Sequence, residues 1–370
     1  MRKINEWLKK SSYIEPLSPA CEMCARGSKL VVLITGLCPS SCFYCPLSEN
    51  KQGRDLIFAD EWKLNDEKDV DKLFKEAEYI EAEGAGITGG DPLVVWKRTS
   101  NFIKILKKRY SSDFNIHLYT SGLKNHEHID DLVTAGLDEI RFHPSPDVWK
   151  KINDTRIGDI IKETSKKDLD VAIEIPVVPN YEQDIISLVK WADENSLKWV
   201  NLNELEFSET NALKLMKRGF NVKDDISSAV LGSETTAKKV IKKLSEENLD
   251  IGVHYCSSSF KDAIQLKNRI KRRAKNIAND FDIITDEGTI IKGIIYPNNY
   301  FSLKNIEEIL QKEFRLNKKY YIVKPKRIEV KPEILEKIST ELSKKKIKCY
   351  LVEEYPTADK LEVERTPLPI

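Results

Sequence analysis

A chain of 370 residues, 41% hydrophobic and 32% charged, has enough apolar side chains for a folded core and is far from the composition of disordered proteins. Its formal net charge of +1 excludes a strong overall attraction to nucleic acid or to an anionic membrane. No apolar run approaches the roughly 20 residues that span a bilayer, and the first residues lack the apolar core of a secretory signal, so we expect a cytoplasmic protein.

The first 29 residues precede the first predicted strand and carry a C-x2-C pair, Cys21 and Cys24. Five of the seven cysteines fall between Cys21 and Cys45. This grouping is too tight for a disulfide framework in a chain of this size. We therefore interpret these cysteines as metal ligands.

Residues 30–280 alternate short apolar runs with amphipathic stretches, which is the pattern of repeated βα units and a parallel sheet. The predicted strands are residues 30–36 and the runs that end at Gly90, Gly122, Pro144, Pro179, Phe207 and Cys256. The predicted helices are residues 70–80, 101–109, 129–135, 182–193 and 237–249. Ligands gather at the carboxyl ends of parallel strands in open sheets and in barrels alike. Periodicity alone leaves both architectures open.

A basic helix is predicted at residues 258–278, and its residues 261–275 carry seven positive side chains and one acidic side chain. Such a helix can follow a phosphate backbone. A solvated face, anchored through Ile264, Leu266 and Ile270, is the interpretation that we favour.

Residues 281–370 are predicted to form a small α+β accessory domain. The expected elements are a hairpin with its turn at residues 286–288, helices at 303–313 and 332–344, a strand at 320–330 and two strands around Cys349 and Leu361. Cys349 is expected to pack as a small hydrophobic residue. Residues 364–370 are interpreted as a tail.

Cys38, Cys42 and Cys45 form a C-x3-C-x2-C motif in the loop that leaves the first predicted strand. A cubane iron-sulfur cluster needs soft thiolate ligands that one short loop can wrap around it, and three such ligands leave the fourth iron open. The alternative is a structural zinc knuckle whose fourth ligand comes from elsewhere in the chain.

The spacing of this motif, with Tyr44 directly before its last cysteine, resembles the radical S-adenosylmethionine (SAM) superfamily. The resemblance implies a [4Fe-4S] cluster whose open iron chelates SAM. It further implies an electron from a ferredoxin- or flavodoxin-like reductant that cleaves the cofactor to methionine and a 5'-deoxyadenosyl radical. The implied fold is α/β, a partial (β/α)6-type radical SAM barrel with the small C-terminal α+β domain.

The resemblance also indicates cofactor-binding residues beyond the cysteines. Family members carry Gly-Gly-Glu-Pro after the second strand, where this chain has Gly-Gly-Asp-Pro, so Asp91 is a departure from the family pattern. The residues carried over or considered as SAM contacts are Tyr44, Gly89, Gly90, Asp91, Thr120, Ser121, Arg141, His143 and Glu174. Thr120 and Ser121 could equally form a simple turn, and the three ionisable residues could equally form a core salt bridge. The same two alternatives, a contact with SAM or substrate and a structural role in the core, apply to Asn201, Asn203 and Glu204.

A second metal site is predicted from Cys21, Cys24, His254 and Cys256. His254 and Cys256 are two residues apart on the last barrel strand and hence on one face. We expect this strand to lie beside the first when the barrel closes, which would bring the two pairs together as a Cys3His set. Zinc or an auxiliary iron-sulfur cluster would suit these ligands. Two surface thiols and one buried cysteine are the alternative.

The resemblance covers residues 21–256 and is strongest to an archaeal-type branch related to pyruvate formate-lyase activating enzymes. The accessory domain and the basic helix suggest a large substrate, a tRNA or a protein. Activation of a glycyl-radical enzyme is one alternative. A non-catalytic, zinc-stabilised RNA-binding protein is the alternative from another functional class.

Overall fold

A computed structural model of the protein describes residues 1–224 and 227–369. The chain divides into two compact units. The first comprises Met1–Glu78 and Ala82–Leu266, and the second comprises Tyr79–Glu81 and the chain from Lys267 onward.

The first unit is built on a single sheet with eleven strands among the described residues. Its strands are β1 (Asn5–Glu6), β2 (Ser12–Ile14), β3 (Lys29–Thr35), β4 (Ile57–Ala59), β5 (Trp62–Leu64), β6 (Gly84–Gly89), β7 (Asn115–Thr120), β8 (Glu139–Phe142), β9 (Asp170–Val177), β10 (Trp199–Glu204) and β11 (Gly252–Cys256). The strand order is β1-β2-β11-β10-β9-β8-β7-β6-β3-β4-β5. Strands β3 and β6 to β11 are parallel, which confirms the predicted α/β fold with a partial barrel.

Helices connect the parallel strands, as the amphipathic stretches predict. The helices of this unit are α1 (Pro19–Arg26), α2 (Val70–Tyr79), α3 (Trp96–Tyr110), α4 (Ile129–Ala135), α5 (Arg156–Thr164), α6 (Glu182–Glu194), α7 (Ala212–Met216), α8 (Ser233–Ser245) and α9 (Ser258–Phe260). A π-helical stretch, Lys261–Leu266, follows α9. Within the described part of the chain, no helix combines the length and the apolar character that a bilayer crossing requires.

Two faces of the parallel sheet differ in polarity because side chains alternate along each strand. Ile116, Leu118, Ile140 and Phe142 are fully buried on one face and pack in the apolar core. The alternate residues are polar, and the sheet register places them side by side. They are His117 on β7, Glu139 and Arg141 on β8, Glu174 on β9, Asn201 and Asn203 on β10, and His254 and Cys256 on β11.

The expectation that the last barrel strand lies beside the first is wrong. Strand β11 pairs with β10 on one side and, antiparallel, with β2 on the other, while β3 lies between β6 and β4. The N-terminal strand β2 thus occupies the edge that β3 would take in a closed barrel. The sequence did not reveal β2, because a strand of three residues has too short an alternation to recognise.

The second unit is an antiparallel sheet with helices. Its strands are β12 (Ile283–Ile284), β13 (Ile290–Ile295), β14 (Tyr321–Val323), β15 (Ile328–Val330), β16 (Cys349–Glu354) and β17 (Glu362–Leu368), and its helices are α10 (Lys267–Ile277), α11 (Leu303–Lys312) and α12 (Pro332–Lys344). The strand order is β14-β15-β13-β16-β17, with β12 paired to β13. Cys349 is buried in its apolar core beside residues such as Leu310 and Leu335, as predicted.

Two expectations for this unit are corrected. The predicted strand at 320–330 is a hairpin of β14 and β15, because Pro325 lies in the turn where Lys324 N donates to Arg327 O. Residues 364–368, interpreted as tail, lie in β17, where Leu368 packs into the core. This strand is at the sheet edge, so Pro367 can lie in it without interrupting a central ladder.

Candidate active site

The cysteine triplet lies on a loop that is fastened at its base. Gly36 N donates to Arg54 O and Gly53 N donates to Gly36 O, each at 2.8 Å, so residues 37–52 leave and re-enter the sheet at one point. Cys38 is exposed, whereas Cys42 and Cys45 are half-buried. The three thiols thus stand at the carboxyl end of β3, on one tethered loop.

The segment after β10 holds this loop from the other side. Asn211 is fully buried, and its side-chain amide donates to Tyr44 O at 3.1 Å. The Thr210 hydroxyl donates to Cys45 O at 3.1 Å. Tyr44 packs in a small apolar cluster with Leu205 and Leu215. Sequence reasoning missed these contacts, since a Thr-Asn pair in a polar loop gives no distinctive pattern.

The Gly-Gly-Asp segment after β6 lies against the start of the cysteine loop. Asp91 N donates to Leu37 O at 2.8 Å, and a Cβ added to Gly90 would meet that same carbonyl oxygen at 2.2 Å. Gly89 has a φ of +136°, which favours glycine. Glycine is therefore required here so that the backbones of β6 and the cysteine loop can approach.

The Asp91 carboxylate is 1% exposed and binds the turn after β7. It accepts hydrogen bonds from Thr120 Oγ1 at 2.8 Å, from Ser121 N at 3.0 Å and from Ser121 Oγ. It also accepts from Leu93 N at 3.0 Å and caps the helical turn that follows. Three of the residues predicted to contact SAM therefore bind one another and fix the relative positions of two strand ends.

His143 is oriented by two hydrogen bonds. Its Nδ1 lies 2.6 Å from the carbonyl oxygen of Glu174, so Nδ1 carries the proton. Its Nε2 then accepts from the Tyr44 hydroxyl at 3.0 Å. Burial lowers the pKa of His143 and raises that of Tyr44, so both groups are neutral near pH 7.

Arg141 and Glu174 form a buried ion pair, with Nη1 to Oε2 at 2.7 Å. Arg141 also donates from Nε to Glu139 and from Nη2 to Ser18 Oγ at 2.9 Å. Burial alone would lower the pKa of Arg141, but nearby negative charge, first that of Glu139 and also that of Glu174, raises it well above its usual value. Burial alone would raise the pKa of Glu174, but the charge and hydrogen bond of Arg141 lower it. Asn201 and Asn203 also donate to the Glu174 carboxylate. Arg141 and Glu174 thus make the contacts of a core salt bridge, which is one of the two interpretations that the sequence leaves open.

A cavity of about 600 Å³ opens at the carboxyl ends of the parallel strands. Cys42, Tyr44, Ser121 and His143 line it, whereas Gly89, Gly90, Asp91 and Thr120 support its wall from behind. The Arg218 guanidinium also lines it and lies over the Phe43 ring, 4.3 Å from the centroid. Arg218 supplies a positive charge that sequence reasoning did not anticipate.

Cys21, Cys24, His254 and Cys256 line a second, smaller cavity of about 170 Å³ together with Arg141 and Glu174. Helix α1 brings the first two residues to the polar face of the sheet, where the Cys21 thiol lies 3.3 Å from Asn201 Nδ2. Across the described residues, no three His, Cys, Asp or Glu side chains are already placed to hold a metal ion. A metal ion or cluster held by either cysteine set would therefore require these side chains to turn toward it.

Burial raises the pKa of the thiols in both cavities. Near the large cavity, burial raises the pKa values of Cys38 and Cys42, and a hydrogen bond from Ser40 N partly offsets the rise at Cys38. Near the small cavity, burial raises the pKa of Cys24 to about 11 and raises that of Cys256 further. A metal that binds these thiols must replace their protons, so its occupancy would fall as the pH falls.

Tyr44→Phe tests the hydrogen bond that orients His143. The replacement leaves His143 Nε2 without its donor, and we expect the free energy of unfolding of the metal-free protein to fall by about 1 kcal/mol. Chemical denaturation under anaerobic conditions measures this change. Tyr181→Phe, at an exposed ring on the same cavity, should change stability by less than about 0.5 kcal/mol. Equal effects of the two substitutions would show that the hydrogen bond contributes nothing.

Comparison with known proteins agrees with this geometry. The sequence profile of the radical SAM superfamily matches residues 32–192, which include the cysteine loop and the Gly-Gly-Asp segment. A protein of Methanocaldococcus jannaschii with the provisional name glycyl-radical enzyme activating enzyme is 40% identical over 376 residues, covering 100% of this chain and 96% of the relative. The chain belongs to the radical SAM superfamily. It is an enzyme of this superfamily, and its cofactors are a [4Fe-4S] cluster and SAM.

Other matches are more distant. A family described as a domain of unknown function matches residues 288–368. SuiB of Streptococcus suis, in a crystal structure with SAM, is 12% identical with a TM-score of 0.44, covering 62% of this chain and 50% of SuiB. The radical SAM methyltransferase TsrM of Kitasatospora setae is 11% identical with a TM-score of 0.38, covering 69% of this chain and 56% of TsrM. The chain thus spans about half the length of SuiB.

Proposed function

We propose that this radical SAM enzyme cleaves SAM reductively and directs hydrogen abstraction onto a protein substrate, as a glycyl-radical enzyme activating enzyme does. The observation that carries the radical chemistry is the 600 Å³ cavity that the cysteine loop shares with the ends of the parallel strands. The support for a protein substrate is the name of the 40% identical relative, which matches this chain end to end.

The residues of the cavity fit the two cofactors. Cys38, Cys42 and Cys45 offer three soft donors from one tethered loop, which suits a cluster with one open iron. When bound, the cluster and SAM supply reductive cleavage to a 5'-deoxyadenosyl radical, which takes a hydrogen atom from the substrate. A ferredoxin- or flavodoxin-like protein would deliver the electron.

Polar residues at the strand ends would position SAM. Ser121 and His143 present their side chains to the cavity, while the backbone of Gly89 and Gly90 lies next to the cysteine loop. The Asp91 carboxylate holds Ser121 in place and so acts as a positioning group. We assign Arg141 and Glu174 to support of the barrel interior, since their charges already satisfy each other.

Apolar walls would shield a radical from solvent. The cavity lining includes Phe43, Leu123, Val148 and Ile157, whose apolar side chains would exclude water. Arg218 lies on the same lining and offers a cation for a carboxylate of cofactor or substrate.

We propose that residues 30–280 carry this chemistry and that residues 281–370 contribute to substrate recognition. Seven free cysteines are consistent with the reducing cytoplasm as its location.

The basic stretch at 261–275 favours a protein substrate over tRNA, because several of its cations are already engaged. Lys261 pairs with Glu206, and Lys267 pairs with Glu287 at 2.7 Å. Arg272 donates to the carbonyl oxygens of Ile80 and Glu81, at 2.6 and 2.9 Å, and Arg273 lies over the Tyr79 ring. Cations bound in this way are less available to phosphates.

Anaerobic turnover measurements test the proposal. The reconstituted, reduced enzyme is mixed with SAM and either a purified glycyl-radical protein from the same source or total tRNA from that source. We expect 5'-deoxyadenosine production to rise with the protein, together with the electron paramagnetic resonance doublet of a glycyl radical. Replacement of the substrate's radical glycine by alanine should abolish the doublet. Stimulation by tRNA and not by the protein would overturn the assignment of a protein substrate.

A further inference from the structure

The small cavity in the first unit has a lining that the radical chemistry does not use. Three thiols and one imidazole face it: Cys21 and Cys24 from α1, and His254 and Cys256 from β11. The Glu174 carboxylate also lines it and is already paired with Arg141. The cavity, with a volume of about 170 Å³, holds an ion and its ligand atoms but no peptide or nucleotide. It is distinct from the 600 Å³ cavity, with which it shares no lining residue.

His254 is the independent sign that this cavity has an occupant. The residue is 3% exposed, and both of its ring nitrogens are buried without a hydrogen-bond partner among the described residues. Leaving a buried polar group unsatisfied costs about 1 to 3 kcal/mol, so native structures seldom leave both nitrogens of one ring in this state. A metal ion bound to one ring nitrogen of His254 would explain why that nitrogen is buried without a hydrogen-bond partner.

The three thiols are placed so that they can converge. Cys21 and Cys24 are three residues apart on α1 and share a helix face, and Cys256 lies on the same sheet face as His254. The thiols also receive N–H donors that suit thiolates: Arg141 and Asn201 point at Cys21, at 3.6 and 3.3 Å, and Gln265 points at Cys256 at 3.6 Å. Such donors lie behind metal-bound sulfurs and stabilise their charge.

We infer that Cys21, Cys24, Cys256 and His254 bind a single zinc ion with tetrahedral geometry. Three thiolates and one neutral imidazole are a structural zinc set. Binding forms three Zn–S bonds and one Zn–N bond and releases three thiol protons to solvent. The complex carries a charge of −1. The Lys29 ammonium, whose hydrogen bonds go to neutral oxygens of Asn115, is a positive charge near Cys24, and Arg141 donates an N–H to Cys21 Sγ.

The ion would fasten α1 to the last parallel strand. These two elements are connected through no backbone ladder, because the neighbours of β11 are β10 and β2. A zinc ion between them would fix the helix against the polar face of the sheet. Cys21 on the helix already contacts Arg141 and Asn201 on that face. The role of the ion is therefore structural. This inference does not depend on whether the substrate is a protein.

Metal analysis of the full chain, purified anaerobically from medium with zinc and iron, tests the inference. We expect about one zinc per chain in addition to cluster iron. His254→Ala and Cys21→Ser should lose the zinc and keep the iron, whereas His254→Cys should keep both because it restores a fourth soft ligand. Cys42→Ala should lose iron and keep zinc. Cys349→Ala, in the core of the second unit, should keep both.

Binding of Co²⁺ to the wild-type protein tests the same site without depending on whether the variants fold. Wild-type apoprotein loaded with Co²⁺ should show the thiolate-to-cobalt charge-transfer and d–d bands of a tetrahedral site, and Cys42→Ala should show the same bands. Absence of zinc from the wild type, or unchanged zinc in a folded His254→Ala variant, would overturn the inference. Extra iron and sulfide lost from the His254→Ala variant would also overturn it, because an auxiliary iron-sulfur cluster would then occupy the cavity.

Discussion

Cys42→Ala will abolish cluster binding and reduce 5'-deoxyadenosine formation to the level of a protein-free control. The substitution removes one of three thiolates that a cubane needs, and no cysteine other than Cys38 and Cys45 lies on the loop of residues 37–52. Without the cluster no electron reaches SAM, so the loss is complete rather than partial. Iron and sulfide content, visible absorption and 5'-deoxyadenosine by liquid chromatography after anaerobic reduction measure it.

Cys349→Ala is the matched control for this experiment. Cys349 is buried in the core of the second unit, so the substitution removes a cysteine and leaves the cluster loop intact. We expect full iron content and unchanged 5'-deoxyadenosine formation. The space that the missing thiol leaves in the core should lower the free energy of unfolding by about 1 kcal/mol. If Cys42→Ala retained both iron and activity, the cysteine loop would not hold the cluster.

Much of this fold could be predicted because its signals are local. Each parallel strand is a short run with apolar residues at every second position or more often, bounded by turn residues. Strands β3 and β6 to β11 therefore match the predicted runs, and α4 matches its prediction to the residue. The cysteine loop was also predictable, because one short stretch of chain carries all three cysteines of the motif.

The supporting contacts of the site could not be predicted in the same way. Asn211 reaches Tyr44 across 167 residues of sequence, and Arg141 reaches Ser18 across 123. Side chains of these types are common in loops and strands, so their sequence surroundings do not show which contact they make. The family resemblance predicts Asp91 as a SAM contact, and it gives no sign that the carboxylate joins the ends of β6 and β7.

The two pairs of potential metal ligands lie close together, although the predicted strand neighbours were wrong. Cys21 and Cys24 do lie near His254 and Cys256, yet not because β3 and β11 are neighbours. They lie there because α1 packs on the polar face of the sheet, where Cys21 contacts Asn201 and Arg141. Polar residues on one face of five successive strands, β7 to β11, were the available signal for that face.

Gly90→Ala will disrupt the cysteine loop without removing any ligand of the cluster. The new methyl group would lie 2.2 Å from Leu37 O and 2.5 Å from Leu37 C, which are backbone atoms and cannot rotate away. The chain must move at the residue directly before Cys38, and the hydrogen bond from Asp91 N to Leu37 O is lost. Overpacking of this kind costs about 2 to 3 kcal/mol in the free energy of unfolding. We expect lower iron content and a loss of SAM cleavage at least as large as the loss of iron.

Gly219→Ala separates this steric effect from the general cost of replacing a glycine. Gly219 has a φ of +80° and nothing within 4 Å of an added Cβ, so alanine there costs only about 1 kcal/mol of backbone strain. We expect its iron content and 5'-deoxyadenosine formation to equal those of the wild type. Gly90→Ala instead places its methyl group against the carbonyl that Asp91 uses to bind the cysteine loop. Full iron content and normal SAM cleavage in Gly90→Ala would mean that the approach of β6 to this loop does not position the cluster.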